Sequence, residues 1–156
     1  MTKKRAKSGG SPTVWVLNGP NLNLLGSREP EIYGRATLAD IEKSCASRAK
    51  ALGLGLDFRQ TNSEGELVGW IQDSKTKAQG LILNAAALTH TSVALLDALN
   101  FAKLPTIEVH LSQPLNRESF RHHSYVTPAS SGLISGLGPH GYELALEALA
   151  RLILKS

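Results

Sequence analysis

Cysteine is almost absent from this chain of 156 residues, and long apolar runs are absent altogether. The single cysteine, Cys45, excludes an internal disulfide and a zinc site built from cysteines. No apolar stretch approaches the roughly 18 residues that a membrane span requires. The first dozen residues also lack the apolar segment of a secretory signal. The sequence therefore predicts no membrane partner and no export, and we expect a cytoplasmic protein.

A general excess of charge is lacking as well. The chain has 17 Lys and Arg residues against 13 Asp and Glu residues. Four of the basic residues lie at the amino terminus, namely Lys3, Lys4, Arg5 and Lys7. Without them the basic and acidic residues balance, so we expect residues 1–12 to be a disordered basic tail. No RRM, KH or zinc pattern follows, and no nucleic-acid partner is predicted.

Beyond the tail, short β-prone runs alternate with helical patterns, which is typical of parallel βαβ units. The predicted strands are residues 13–17, 54–59, 80–83, 106–109 and 132–135. The third run is continuously apolar and suits a central strand buried on both faces. The pattern predicts a parallel sheet of five strands with four main helices between and after them, and no second domain boundary.

Two helix starts carry the residues of a capping box. Thr37 precedes Asp40 by three positions, and Ser63 precedes Glu66 by the same spacing. Cys45 lies among apolar residues at helical spacing in the first of these helices, so we expect it in the core.

The last two helices are bounded by proline. The third helix, at about residues 92–102, must end before Pro105, and Gly138 with Pro139 sets the start of the fourth. The fourth helix carries a predicted apolar stripe of Ala145, Ala148, Leu149, Leu152 and Ile153.

Ligands of open parallel sheets bind beyond the carboxyl ends of the strands. The segment after the first strand, residues 18–34, is long enough to be a functional lid and carries Arg28 and Tyr33. Its glycines lack the Rossmann and Walker spacings, and it has no compact run of hydroxyls for a flavin. No cofactor is therefore predicted.

Tyr33 is either a half-buried structural tyrosine or a base. A tyrosine becomes a base when nearby cations stabilise its phenolate. Arg28, Arg117 and Arg121 lie in loops at the same end of the predicted sheet and are the candidate cations, although loop arginines are more often simply solvated.

Glu108 and His110 lie two residues apart at the end of the fourth strand, so their side chains point to the same face. The carboxylate can hold the imidazole in one tautomer, as suits a general acid, or the pair can be a satisfied core histidine. The five histidines show no metal-ligand spacing, and no metal is predicted. Ligand hydroxyls or a carboxylate can be bound by the side chains of Asn84 and Ser112 and by the backbone N–H groups of Leu111 and Ser112. The alternative is that these short polar residues only stabilise turns.

Four segments resemble the type II 3-dehydroquinate dehydratases. They are GPNLNLLGSREPEIYG, NAAALTHTSVAL with its following DA, EVHLS, and FRHHSY with the later GLG and GY. The resemblance covers about residues 14–152 in order. It implies a flavodoxin-like α/β fold with helices on both faces of a five-stranded parallel sheet, and a single catalytic α/β domain over residues 13–156.

The resemblance further implies a lyase that eliminates water from 3-dehydroquinate, a small anion, to give 3-dehydroshikimate. The elimination is anti, passes through an enolate and uses neither metal nor imine. It would serve shikimate biosynthesis, which leads to chorismate and the aromatic amino acids, or quinate breakdown.

The same resemblance assigns roles to individual residues. Tyr33 is the base, held as phenolate by Arg28 and Arg117, and His110 is the acid, oriented by Glu108. Asn21 places a water near the enolate oxygen. Substrate hydroxyls and carboxylate are bound by Asn84, His90, Arg121 and the backbone of Leu111 and Ser112.

The family commonly forms dodecamers of four trimers, in which the aspartate corresponding to Asp97 reaches a neighbour's site. The family usually has an arginine directly before this aspartate, and this chain has Leu96 in its place. The difference puts in doubt the salt bridging at the trimer interface.

Two rival functions are a flavodoxin-like module that binds a small anion without turnover, and nucleic-acid binding by the tail. Intact Tyr33, Arg28 and His110 argue against a pure binder.

Overall fold

The computed structural model describes residues 10–154. Most of the predicted basic tail, residues 1–9, lies outside the described residues. Five strands are present: β1 (Thr13–Asn18), β2 (Gly55–Gln60), β3 (Gly80–Asn84), β4 (Thr106–His110) and β5 (Gly132–Ser135). The helices are α1 (Pro30–Tyr33), α2 (Leu38–Leu52), α3 (Glu64–Lys77), α4 (Val93–Ala102) and α5 (His140–Ile153), with five short 3₁₀ turns. Every predicted strand and main helix is confirmed to within about two residues.

All strand pairings are parallel, and the order across the sheet is β2-β1-β3-β4-β5. This is the flavodoxin-like order, so the predicted fold is confirmed. The strand order reverses between β1 and β3, where a crevice opens at the carboxyl ends. Every residue of β3 and β4 is buried, in agreement with the apolar run that predicted a central strand.

Helices cover both faces of the sheet, as expected. On one face, α2 and α5 pack over a core that includes Val16, Ile82 and the fully buried Cys45. On the other, α3 and α4 pack over Leu17 and Leu83. Burial raises the pKa of the Cys45 thiol to about 12, so this cysteine is an unreactive core residue, as predicted.

One part of the predicted stripe on α5 is wrong. Ala145 and Leu149 are fully buried, but Leu152 is 47% exposed. Ile153, the next residue, takes the inward position and packs beside Leu149 against Gly80 of β3, so Leu152 lies at the edge of the stripe.

Of the two predicted capping boxes, the one at the start of α2 is confirmed in full and the one at the start of α3 only in part. Thr37 and Asp40 form a reciprocal capping box at α2. At α3, Ser63 Oγ accepts from the Glu66 N–H at 3.1 Å, but the Ser63 N–H donates to Thr61 Oγ1 at 3.0 Å. The hydroxyl of Thr61 thus takes the donor that a full capping box would give to Glu66.

The lid segment, residues 18–34, is more ordered than a plain loop. It contains a 3₁₀ turn, Leu22–Leu24, and the short helix α1, with Pro30 at the first helical position. Leu22 and Leu25 are buried in the core and attach the segment to the domain. In the part of the chain that the structure describes, no helix has the length and apolar character to cross a membrane.

Candidate active site

A cavity of about 90 Å³ lies at the carboxyl ends of β1, β3 and β4, in the crevice that the strand order predicts. Its lining contains ten of the twelve predicted site residues, namely Asn21, Arg28, Tyr33, Asn84, His90, His110, Leu111, Ser112, Arg117 and Arg121. The lid segment, which supplies Arg28 and Tyr33, forms one wall of this cavity.

Tyr33 ends the short helix α1, and its phenolic oxygen accepts a hydrogen bond of 2.8 Å from Arg117 Nη1. Arg28 approaches the same tyrosine differently. Its guanidinium carbon lies 5.2 Å from the ring centroid, and one of its nitrogens lies 3.5 Å from the Glu29 carboxylate. Both guanidinium groups thus lie beside the ring, but only Arg117 contacts the phenolic oxygen.

Glu108 and His110 form a buried, hydrogen-bonded pair at the end of β4. Nε2 of His110 lies 2.6 Å from Oε2 of Glu108, as the two-residue spacing predicted. Burial acts to raise the pKa of Glu108. Hydrogen bonds from His110, Thr127 and Ser124 outweigh this effect and hold the pKa below its ordinary value. Glu108 is therefore a carboxylate at neutral pH, and Nε2 of His110 is the donor.

Asn84, at the end of β3, is held by a buried chain of hydrogen bonds. Its Nδ2 donates to the Tyr142 hydroxyl at 2.9 Å, and that hydroxyl donates to Asn18 Oδ1 at 2.7 Å. Its Oδ1 accepts from the Ala86 N–H at 3.2 Å. Because one N–H of the amide is fixed on Tyr142, the second N–H is available to the cavity as a donor.

His90 is held as a neutral imidazole with a defined tautomer. Its Nδ1 lies 2.8 Å from the carbonyl oxygen of His123, which can only accept, so Nδ1 carries the hydrogen. Burial lowers the pKa of His90, and the bond to His123 offsets this only in part. The remaining nitrogen, Nε2, is therefore an acceptor. Arg121 is oriented by a 2.7 Å bond to Glu118.

The turn after β4 offers backbone donors to the same cavity. Within residues 10–154, no protein acceptor receives the N–H group of Leu111 or Ser112. Two adjacent free donors next to arginine side chains form a suitable site for a carboxylate. Asn21 borders the cavity in a left-handed backbone conformation, and its N–H donates to Asn62 Oδ1 at 2.9 Å.

Two predicted site residues lie away from this cavity. Glu108 is behind His110 and contacts the cavity only through it. Asp97 is exposed on α4 and does not line the cavity of its own chain, so any role for it in a site depends on a neighbouring subunit.

Sequence reasoning missed three residues that hold the site together. Ser124 and Thr127 both bond Glu108, and Tyr142 bonds Asn84. The two hydroxyl residues Ser124 and Thr127 and the tyrosine in an apolar helix are visible in the sequence. Only the packing of these segments against β3 and β4 reveals their partners.

A polar cavity at the switch point of a flavodoxin-like sheet, with a tyrosine and a histidine as candidate base and acid, defines an α/β enzyme. A profile described as "Dehydroquinase class II" matches residues 12–150. The chain belongs to this family.

Individual relatives agree with this assignment. The "3-dehydroquinate dehydratase" of Hyphomonas neptunium is 61% identical over 142 residues, which cover 91% of this chain and 95% of that protein. The "3-dehydroquinate dehydratase 2" of Pseudomonas aeruginosa is 57% identical over 138 residues, 88% and 93% of the two chains. The crystal structure of the type II dehydroquinase from Propionibacterium acnes superimposes with a TM-score of 0.87 at 45% identity, covering 91% of this chain and 98% of that one.

Proposed function

We propose that this chain is a hydro-lyase that converts 3-dehydroquinate to 3-dehydroshikimate by an anti elimination of water through an enolate, without metal or imine. The observation that carries the proposal is that the Tyr33–Arg117 pair and His110 of the Glu108–His110 pair line one cavity. A β-elimination beside a ketone needs a base and a separate acid.

In the first step Tyr33, as phenolate, removes the proton from the carbon beside the ketone. The electrons of the broken C–H bond pass to the ketone oxygen and form the enolate. Arg117, 2.8 Å from the phenolic oxygen, stabilises the phenolate form, and Arg28 beside the ring adds positive potential. A water held by Asn21 solvates the enolate oxygen.

In the second step the enolate electrons return, a carbon–carbon double bond forms and the C–O bond to the hydroxyl breaks. His110 gives its proton to the departing oxygen, which leaves as water. The ionised Glu108 at 2.6 Å stabilises the imidazolium that supplies this proton. Tyr33 has gained one proton and His110 has lost one, and exchange with solvent restores both.

The remaining polar groups of the cavity match an anionic, hydroxylated substrate. The N–H groups of Leu111 and Ser112 bind the carboxylate. Asn84, His90 and Arg121 bind hydroxyls, with the Nε2 atom of neutral His90 as an acceptor. The described residues that line the cavity include no lysine, which an imine would require.

We further propose that the enzyme works in the cytoplasm, in shikimate biosynthesis toward chorismate and aromatic amino acids or in quinate breakdown. We propose a dodecamer of four trimers in which Asp97 approaches a neighbour's site. Light scattering tests the assembly, and a fully active monomer would contradict it.

An ultraviolet assay for the conjugated enone product tests the reaction. The protein is assayed with 3-dehydroquinate in the presence of a chelator. A second sample is treated with substrate and borohydride together and then assayed, since borohydride fixes an imine irreversibly.

Activity that survives both treatments supports the proposal. Loss of activity with the chelator would contradict a metal-free reaction, and loss after borohydride would contradict an imine-free one. Saturable binding without turnover by folded protein would favour the small-anion binding module instead.

A further inference from the structure

Glu108 has more hydrogen-bond donors than its pairing with His110 requires. The side chain is fully buried and accepts from His110 Nε2 at 2.6 Å, from Ser124 Oγ at 2.9 Å and from Thr127 Oγ1. The two hydroxyls come from the segment before β5, whereas Glu108 and His110 belong to β4. We call Ser124 and Thr127 the hydroxyl pair.

The direction of the Ser124 bond is fixed by its surroundings. The backbone N–H groups of Val126 and Thr127 both donate to Ser124 Oγ at 3.1 Å. Because the oxygen accepts these two bonds, its own hydrogen is directed to Glu108. Hydrogen bonds donated to a carboxylate are stronger than those donated to a neutral carboxyl group, so the hydroxyl pair favours the ionised form of Glu108.

The charge of Glu108 determines what His110 can do. Facing a carboxylate, Nε2 of His110 must carry a hydrogen, and the transferable proton is then on Nδ1. If Glu108 were neutral it would donate to Nε2, and His110 would become a neutral imidazole with its hydrogen on Nδ1. Burial favours that exchange, and the hydrogen bonds to Glu108 oppose it.

We propose that Ser124 and Thr127 are positioning residues for the acid of the reaction: they keep Glu108 ionised and oriented, so that His110 retains Nε2–H and its Nδ1 proton is that of an imidazolium, not of a much less acidic neutral imidazole. The catalytic part of this inference rests on the proposed function. The tautomer part does not, because it concerns only the four side chains of this cluster.

Other ionisable residues lie around the cluster of Glu108, His110 and the hydroxyl pair, and none of them is changed in the variants used below. From the lid segment and the turn after β4 they are Arg28, Tyr33 and Arg117. In a second cavity of about 620 Å³, which His110, Glu108 and the hydroxyl pair also line, they are His90, Arg121, His122 and His123.

The decisive variant is Thr127→Val, which keeps the shape of the side chain and removes the hydroxyl that donates to Glu108. Thr127→Ser restores the hydroxyl. Ser130→Ala is the matched control, because Ser130 Oγ donates to the Val126 carbonyl in the same segment at 2.9 Å and does not contact Glu108.

Nitrogen-15 NMR of the histidine rings, with His110 assigned by its loss in His110→Ala, reports the tautomer without requiring turnover. We expect neutral His110 to carry its hydrogen on Nε2 in the wild type, in Thr127→Ser and in Ser130→Ala. In Thr127→Val a substantial fraction should carry it on Nδ1. In Thr127→Val kcat should also fall about tenfold over the whole pH profile, with KM little changed, because loss of a hydrogen bond to a charged group makes the ionised form of Glu108 less populated.

Three results would overturn the proposal. The first is a wild-type His110 that carries its hydrogen on Nδ1 when neutral, which needs no variant to fold. The second is a Thr127→Val protein whose ring shifts and kcat profile equal those of Ser130→Ala. The third is a failure of Thr127→Ser to restore either property. If the wild type does not turn over 3-dehydroquinate, the proposed function fails while the tautomer measurement still decides the positioning role.

Discussion

Arg117 donates a hydrogen bond of 2.8 Å to the phenolic oxygen of Tyr33, although the two residues are 84 positions apart in the chain. Tyr33 belongs to the lid segment after β1, and Arg117 follows the turn after β4. The bond therefore links the lid to the turn that carries the free Leu111 and Ser112 N–H groups. The position of the phenolic oxygen therefore depends on both segments, since each supplies one partner of the bond.

Tyr33→Phe should nearly abolish turnover and leave substrate binding largely intact. The change removes the proposed base, and loss of a general base typically costs about 10²- to 10⁴-fold in rate. The enone assay gives kcat, and calorimetry with 3-dehydroquinate gives Kd.

Tyr125→Phe is the matched control for this prediction. Tyr125 stacks edge-on against His123 and does not line the cavity, so its kcat should remain near that of the wild type. A Tyr33→Phe variant with normal kcat would refute the assigned base.

Tyr142→Phe should weaken both the fold and substrate binding. The Tyr142 hydroxyl is buried and satisfies Asn18 Oδ1 and Asn84 Nδ2. Leaving buried polar groups unpaired costs about 1–3 kcal/mol. With its amide no longer fixed, Asn84 should bind substrate less well, so KM should rise more than kcat falls. Urea unfolding and steady-state kinetics measure the two effects, and an unchanged KM would show that Asn84 does not need this bond.

The sequence predicts the sheet well because the information is local. Residues 80–83 form a continuous apolar run whose burial on both faces follows from composition, and the Thr37–Asp40 capping box needs only a three-residue spacing. The two-residue spacing of Glu108 and His110 also fixes their common face. Each of these features depends on neighbours in the chain.

The supports of the site could not be predicted in the same way. Tyr142 lies 58 positions from Asn84 and 124 from Asn18, and nothing near it in the sequence indicates a polar partner. The partial failure of the capping box at Ser63 has a similar origin, because a neighbouring hydroxyl, Thr61, competes for the same N–H. Long-range pairing and local competition both require the folded geometry.

His90 should make part of the stability dependent on pH. Burial lowers its pKa in the folded state, whereas an unfolded histidine takes up a proton near pH 6.5. The unfolded state therefore binds more protons below pH 6.5. The contribution of His90 is complete above that pH and is lost as the pH falls toward the lowered folded-state pKa.

Urea unfolding of wild type and His90→Asn between pH 7.5 and pH 5.5 measures this contribution. We expect the stability difference between the two proteins to shrink as the pH falls. His140→Asn, at a histidine whose side chain is 62% exposed, is the control. A stability difference that stays constant over this range would contradict a neutral His90 in the folded protein.

Gly19 and Gly69 should respond in opposite ways to the same substitution. A Cβ atom at Gly19 would lie 2.5 Å from the carbonyl oxygen of Ala85, and the Gly19 N–H donates to Asn84 O at 2.8 Å. Gly19→Ala must therefore displace the end of β1 from the end of β3, at a cost of about 1–3 kcal/mol. Because Asn84 lines the cavity, kcat/KM should fall as well.

Gly69 lies inside α3, and a Cβ there meets nothing within 4 Å. Alanine is favoured over glycine in a helix interior by roughly 0.5–1 kcal/mol, so Gly69→Ala should stabilise the protein and leave kcat/KM unchanged. Urea unfolding of the two variants beside the wild type measures the effects under one condition. The contact with Ala85 leaves no way to accommodate the methyl group except by separating the ends of β1 and β3. A Gly19→Ala protein as stable and active as Gly69→Ala would therefore contradict the prediction that this separation disturbs the site.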